Sequence, residues 1–444
     1  MNPKKVKILS YLLVTALIFT LSLSGILIGC KKEAVKEVTE AEEPVVTSEE
    51  EAPLTEAKKV VRFMWAEYDG IQPEYTKELE KAFEAENPNI DLQIISTPWG
   101  EYEARLDTFI SGGEAPDIAV IGTRWLLKYM DLELVEPIEQ WISKPVLDDI
   151  IEASMEAKIG GELKALPVAA GPRIMFYQSD IVPEPPKTFE EMKEIAKKVS
   201  NPPEMYGVGM IGKSPYVELT EFVYYFYGAG GEFFEVREDG TLGKCTVNSE
   251  AGVKALTFMN SLVKEGLTQP TVLSDWRDEV QALFIAGKIA IHLSGGFVES
   301  LLVDAKVPFE YSRTLMPYFE GAKDPRTIVI TDSIQMFNTS EVKAEAGKVL
   351  DFFYQPEWRI PFDKQTGFPP VTKSAAEDEY FQKPVYQVMV EAMGKAKGWP
   401  LVVEWPRAND IIWEAIGKVF LEDADPKAAL DEAARRVDEE RGIQ

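Results

Sequence analysis

KVVRFMWAEYDGIQPEYTKELEKAFEAENPNIDLQIIS, residues 59–96, decides the fold class. Val60–Trp65 is short, apolar and β-branched, the pattern of a buried strand. Glu67, Tyr68, Asp69 and Gly70 mark a loop. Tyr75, Leu79, Ala82 and Phe83 then recur at helical spacing, and Asn87-Pro88 ends that helix. IDLQIIS is a second strand. Beyond it, Tyr102–Ser111 reads as a helix stopped by SGGEAP, and DIAVIG as a third strand. The order β-α-β-α-β predicts a sheet with helices on both faces, where ligands meet the loops at the carboxyl ends of the strands.

Those loops are aromatic and polar. The first holds Trp65, Glu67 and Tyr68, the second Trp99, the third Thr123, Arg124 and Trp125. Indoles stack on the flat C–H faces of sugars, and each Trp can equally cover a helix end. A guanidinium offers bidentate hydrogen bonds to diols or to a sugar carboxylate, while Asp and Glu point back to neutral sugars or amines. Asp117 reads as a backbone cap, and the run FVYYFYGAGG around Tyr224 as core.

Upstream, Lys4, Lys5 and Lys7 precede an uncharged apolar stretch from Ile8 to Gly29. Residues 1–29 read as a secretory signal peptide. Their length also suits a membrane span. Leu27-Ile28-Gly29-Cys30 resembles a bacterial lipobox, which would make Cys30 the lipidated residue and place the body outside the cytoplasm, anchored to the cell membrane. Residues 30–58 follow as a tether. Between 31 and 57 nine Glu face three Lys, too few apolar groups to fold and enough like charge to stay extended.

The remaining length exceeds the ~250–300 residues at which one core stops growing, so two lobes are expected. Lys and Arg number 47 against 74 Asp and Glu, a formal charge of −27. Nucleic acid is thereby an unsuitable partner, since phosphate binding needs clustered cations. Cys245 and His292 are the only Cys and His after Cys30, which excludes Cys/His zinc sites. No metal or cofactor is expected, no catalytic residue is assigned, and His292 reads as a strand residue.

Motifs through the body resemble those of the bacterial extracellular solute-binding proteins, the sugar receptors of ABC transporters related to maltose-binding protein. They are FEAENPNI, SGGEAPDIAVIG, LPVAAGPRIMFYQSDI, PPKTFEEMKEIAKKV, TVNSEAGVKALTFMNSLVKEGLT and ALFIAGKIAIHLSGGF. Gln178 stands where Asn is usual and Ile291 where Met is usual. The match covers about residues 60–435, and its strength lies in the order and spacing of weak motifs. The resemblance implies an α/β, two-lobed periplasmic-binding-protein fold of type II, with crossing hinge segments. Lobe I would comprise 59–168 plus 306–370, and lobe II 169–305 plus 371–444. It implies hinge closure on a sugar or oligosaccharide, an ABC permease as partner, a monomer, and no enzymatic activity. Carried over by position, the ligand-binding candidates are Trp65, Glu67, Tyr68, Trp99, Thr123, Arg124, Trp125, Arg173, Trp276, Gly296, Phe297, Asp332, Trp405 and Arg407. A polyamine, peptide or chelate on the same scaffold, and a surface glycoside hydrolase or lyase, are the alternatives.

Overall fold

The computed structural model describes residues 57–443 except 69, 160, 214–218 and 238–240. The expected signal peptide, Cys30 and nearly all of the expected tether lie outside these residues. Strand β1 (Lys59–Glu67), helix α1 (Pro73–Glu86), strand β2 (Ile90–Pro98), helix α2 (Trp99–Ser111) and strand β3 (Ile118–Gly122) realise the expected alternation. In α1, Tyr75, Leu79 and Phe83 are the buried residues, each four apart. Burying each stabilises by about 2 kcal/mol. The Asn87 backbone N–H and side-chain amide both donate to the Phe83 carbonyl, which closes the helix before Pro88. Helix α2 starts three residues earlier than its apolar pattern suggests, directly at Trp99 after Pro98 ends the strand.

The same sheet continues through strands β4 (Ala165–Gln178), β5 (Tyr206–Gly209), β6 (Ile289–Gly295), β7 (Tyr311–Leu315) and β8 (Thr327–Phe337). The strand order is β2-β1-β3-β8-β4-β6-β5, with β7 also on β4. β1 is parallel to β2 and β3, whereas β8 runs antiparallel to both β3 and β4. The 14-residue β4 is the shared element. Its residues 165–172 pair with β8 and its residues 173–178 with β6 and β7. Tyr311–Leu315 was expected with lobe I, yet it pairs with Ile174–Gln178, on the lobe II side of the expected division.

Two hydrophobic cores flank this sheet. One gathers Phe63, Trp65, Leu79, Phe83, Val120, Leu126, Phe353 and Phe362. The other gathers Phe189, Phe222, Tyr225, Leu256, Ile291, Trp405 and Ile412. Helices α3 (Thr220–Gly228), α4 (Arg277–Ile285), α5 (Pro356–Thr366) and α6 (Trp405–Glu422) bring further side chains to the site. Among the described residues, no helix is long and apolar enough to cross a membrane. Cys245 is free and buried, and His292 lies fully buried in β6, where burial pushes its imidazole down to about 3.

Candidate functional site

A cavity of about 480 Å³ opens at the carboxyl ends of β1, β2 and β3, within the range of small-molecule sites. Its walls come from the strand-end loops, from α2, α3 and α4, and from the start of α6.

Tyr68 anchors one wall. Its ring meets Trp99, Phe362 and Phe368 edge-on at 5.6, 5.5 and 5.9 Å, the favoured T-shaped arrangement. Trp99 in turn lies 5.9 Å from Trp125. Trp276, Phe297 and Trp405 also line the cavity, and Phe297 reaches the same aromatic group through Phe368 at 6.1 Å. Trp405 is 2% exposed, packed on Phe233 at 4.9 Å and Trp399 at 5.3 Å, so it presents a fixed surface.

Three guanidiniums reach the same cavity. Arg124 follows β3 and stacks on Trp125 at 4.8 Å. Gly122 makes this possible, because a Cβ there would stand 2.2 Å from Arg124 Nη1. Arg173, in β4, donates from Nη1 to the Gly171 carbonyl at 3.1 Å and lies 5.7 Å from the Phe297 ring. A Cβ on Gly295 would meet that ring at 2.4 Å and Arg173 Nη1 at 2.9 Å. Arg277 opens α4 and approaches the same ring at 5.3 Å.

One buried carboxylate faces them. Asp332 pairs in the sheet with Gly122 on one side and Ala169 on the other. Its Oδ2 accepts the Tyr68 hydroxyl at 3.1 Å. Burial pushes its carboxyl up to about 6, against the opposing pull of Arg124, Tyr68, Arg173 and Arg277. Burial likewise lowers Arg173, which is hydrogen-bonded to Tyr224, and raises the Tyr224 phenol.

The cavity therefore brings together Tyr68, Trp99, Arg124, Trp125, Arg173, Trp276, Phe297, Asp332 and Trp405 from the sequence candidates. Five candidates do not line it. Trp65 is 1% exposed and wedged edge-on against Phe353 and Phe362, because β1 turns that side chain toward α5 and the first core. Glu67 ends β1 facing solvent. Thr123 is buried with its hydroxyl 2.8 Å from the Ser333 hydroxyl. Gly296 packs on Met389, whose sulfur would lie 2.1 Å from an added Cβ. Arg407 pairs with Glu440 at 3.2 Å, with half of its side chain exposed.

Lining residues outside the candidate set include Glu103, Thr220, Tyr224, Arg277, Phe368, Asn409 and Asp410. For one of them a signal existed. In EWPRAND, Trp405 and Asn409 are four apart and share a helix face, whereas Arg407 points elsewhere. Tyr224 gave no signal, since α3 is buried all round. Asp117 behaves as a cap: its Oδ2 accepts the Arg62 N–H at 2.8 Å and its Oδ1 the Ser340 hydroxyl at 2.6 Å.

Residues 68–360 match the model of the bacterial extracellular solute-binding proteins. The chain belongs to that family. A Brucella abortus (strain 2308) protein, described as a binding protein with no ligand named, is 33% identical over 388 residues, covering 85% of this chain and 92% of that one. The sn-glycerol-3-phosphate-binding periplasmic protein of Escherichia coli O6:K15:H31 (strain 536) is 24% identical over 409 residues, covering 84% and 90%. An ABC transporter solute-binding protein of Thermotoga lettingae TMO, solved with alpha-D-tagatose, superposes with a TM-score of 0.78 at 21% identity, covering 86% of this chain and 99% of that one. The fold of this solute-binding protein is thus the two-lobed α/β fold expected from its sequence. Its cavity lies where the shared strand β4 passes from one set of pairings to the other.

Proposed function

We propose that this solute-binding protein is a lipid-anchored extracytoplasmic receptor that captures a sugar or oligosaccharide by hinge closure and delivers it to an ABC importer. The observation that carries this reading is the cavity itself. Tyr68, Trp99, Trp125, Trp276, Phe297 and Trp405 offer ring faces and edges, and guanidiniums, Asp332 and Asn409 stand between them. That alternation suits a ligand with apolar C–H faces and a rim of hydroxyls. The tagatose-bound neighbour gives the same direction, as a relative of shared fold.

The anchor rests on Lys4, Lys5, Lys7, the apolar run and Leu27-Ile28-Gly29-Cys30. The lobes of this reading follow the expected division, with the boundary near 306 moved beyond Leu315, because β7 pairs with the second half of β4. β4 and the stretch between β7 and β8 are then crossing segments, and Gly171-Pro172 lies in the first of them. The protein works as a monomer with permease subunits as its protein partner, needs no cofactor, and leaves the solute chemically unchanged.

Thermal unfolding of the full chain against mono- and oligosaccharides, uronates, sugar phosphates and polyamines tests this. A ligand that binds only the folded state raises the midpoint. A saturable rise with a saccharide recovered intact supports the reading. A saccharide consumed during the assay overturns it in favour of a hydrolase or lyase. A rise with polyamines alone moves the scaffold to a non-sugar solute.

A further inference from the structure

We propose that Asn409 is a specificity-determining residue of the cavity, a fixed hydrogen-bond donor that selects a solute carrying hydroxyl oxygens over one carrying only ammonium groups. This deepens the receptor reading and rests on it.

Asn409 lies on α6, one turn beyond Trp405, and lines the cavity although it is only 6% exposed. Its Oδ1 accepts the backbone N–H of Leu219, the residue before α3, at 3.0 Å. A backbone N–H only donates, so this bond fixes which way the amide points: its oxygen faces Leu219 and its NH2 faces away. Among the described residues, no hydrogen bond uses Asn409 Nδ2. Nor is that nitrogen among the described side-chain atoms sealed in the core without a partner, so the surface it keeps opens on the cavity that the residue lines.

The Leu219 bond is buried and joins residues 190 apart in the chain. It ties α6 to the start of α3, whose Thr220 and Tyr224 line the same cavity. The fold therefore holds the amide in one orientation, and the position offers the solute a donor and no acceptor.

Asp332 supplies the opposite polarity, an acceptor that Tyr68 engages at Oδ2. A hydroxyl both accepts and donates, so hydroxyls serve Asn409 and Asp332 alike. An ammonium only donates, so it serves Asp332 alone. Lobe closure removes water from Nδ2. A solute oxygen replaces the lost hydrogen bond, whereas an ammonium leaves the donor desolvated and unpaired, and that penalty exceeds the net worth of the bond. A polyamine is disfavoured here for that reason, although the cavity contains a carboxylate.

Calorimetric titration of the full chain with D-glucose, D-tagatose, maltotriose, D-galacturonate, glycerol 3-phosphate and spermidine tests this. The parent is expected to bind at least one hydroxylated probe, and to bind spermidine at least about 10-fold more weakly. Asn409→Asp keeps an oxygen for Leu219, offers no N–H and adds a second carboxylate to the cavity. It is expected to weaken the hydroxylated probe about 10-fold, the scale of one net hydrogen bond, and to strengthen spermidine. Asn409→Leu removes the donor without adding charge. It is expected to weaken the same probe by a similar factor and to leave spermidine within about 3-fold. Either variant decides the matter should the other fail to fold. A role confined to holding α3 would lower the unfolding midpoint and leave the affinity of the folded protein unchanged. A folded variant that holds the hydroxylated probe as tightly as the parent overturns the proposal and leaves the sugar receptor standing. So does a parent that binds spermidine as tightly as its best hydroxylated probe. A parent that binds spermidine alone, or none of the probes, overturns the proposal and the sugar reading together.

Discussion

The Tyr68 hydroxyl donates to Asp332 Oδ2 across 3.1 Å, although 264 residues separate the two in the chain. The bond ties the loop after β1 to the middle of the sheet. It also gives a neutral hydrogen-bond donor to a carboxylate that feels the charges of Arg124, Arg173 and Arg277. Asp332 is thus a reporter of the cavity's electrostatics.

Its titration gives the first prediction. Burial holds Asp332 at about 6, above the value of about 3.9 for an unfolded Asp. Between those pH values the folded chain keeps a proton that the unfolded chain has released. The stability this group contributes is therefore full below pH ~4 and lost as pH rises through about 6. Relative to Asp332→Asn, the parent should lose about 2–3 kcal/mol over that window. Urea unfolding of both proteins at half-unit pH intervals measures it. Parallel curves for the two proteins sink the assignment.

The glycine seats give a second. In Gly122→Ala the new Cβ would stand 2.2 Å from Arg124 Nη1, the far end of a flexible side chain. The guanidinium can swing away, so stability should change by less than about 1 kcal/mol. Affinity for the bound solute should fall about 10-fold, because the swung group leaves the cavity wall. In Gly295→Ala the Cβ would meet the Phe297 ring at 2.4 Å, and that ring is 5% exposed. Here stability falls as well, by about 1–3 kcal/mol, the usual cost of overpacking. Equal losses of stability in the two variants would show that the two seats are equally rigid, against this reading.

Thiol chemistry separates the anchor proposal from its alternatives. Cys245 is 5% exposed, and burial pushes its thiol up to about 12. Thiolate is the nucleophile, so native Cys245 should take no maleimide at pH 7.5 over minutes. Under the proposed anchor, protein isolated from membranes should take one label after denaturation, from Cys245 alone. Two labels on the denatured chain would remove the lipid anchor. One label on the native form of a chain that takes only one label when denatured would contradict the burial of Cys245.

The alternation of strands and helices was legible because its periods are local: four-residue spacing in Tyr75, Leu79 and Phe83, and short β-branched runs in β1 and β3. The aromatic loop tips were legible for the same reason, since strand ends lie together in any such sheet. Trp65 misled because one residue along a strand reverses its face, and nothing local tells which face is core. Arg407 lies off the cavity because EWPRAND is helical, and that phase puts Asn409 on the face of Trp405. The meeting of Arg124, Arg173, Arg277 and Asp332 was beyond local pattern. It depends on β8 inserting between β3 and β4, a pairing of segments some 160–210 residues apart.

A last prediction concerns the buried pair Arg359 and Asp363, both fully buried and bonded through two nitrogens at 3.2 and 2.6 Å. Burial pushes the Asp363 carboxyl up, and the adjacent guanidinium pulls it back. Arg359 Nη2 also donates to the carbonyl of Val168. That residue is the irregular point of β4, where the register against β8 shifts: Asp332 pairs with Ala169, and Ser333 with Pro167. The Val168 carbonyl is therefore held by a side chain at a break in the ladder, and the neighbouring Pro167 carbonyl accepts the Tyr354 hydroxyl at 2.6 Å. Together they clamp the crossing strand to the first core, two residues from the partner of Asp332 at most. Arg359→Met leaves Asp363 and the Val168 carbonyl buried without their donor, at a cost of about 3–5 kcal/mol. Adding Asp363→Leu removes the stranded carboxylate, so the double variant should recover at least about 1 kcal/mol of that loss. Denaturant unfolding of the parent, both single variants and the double variant closes the cycle. If the two single losses simply add, the pair is not coupled and the clamp on β4 is not built as described.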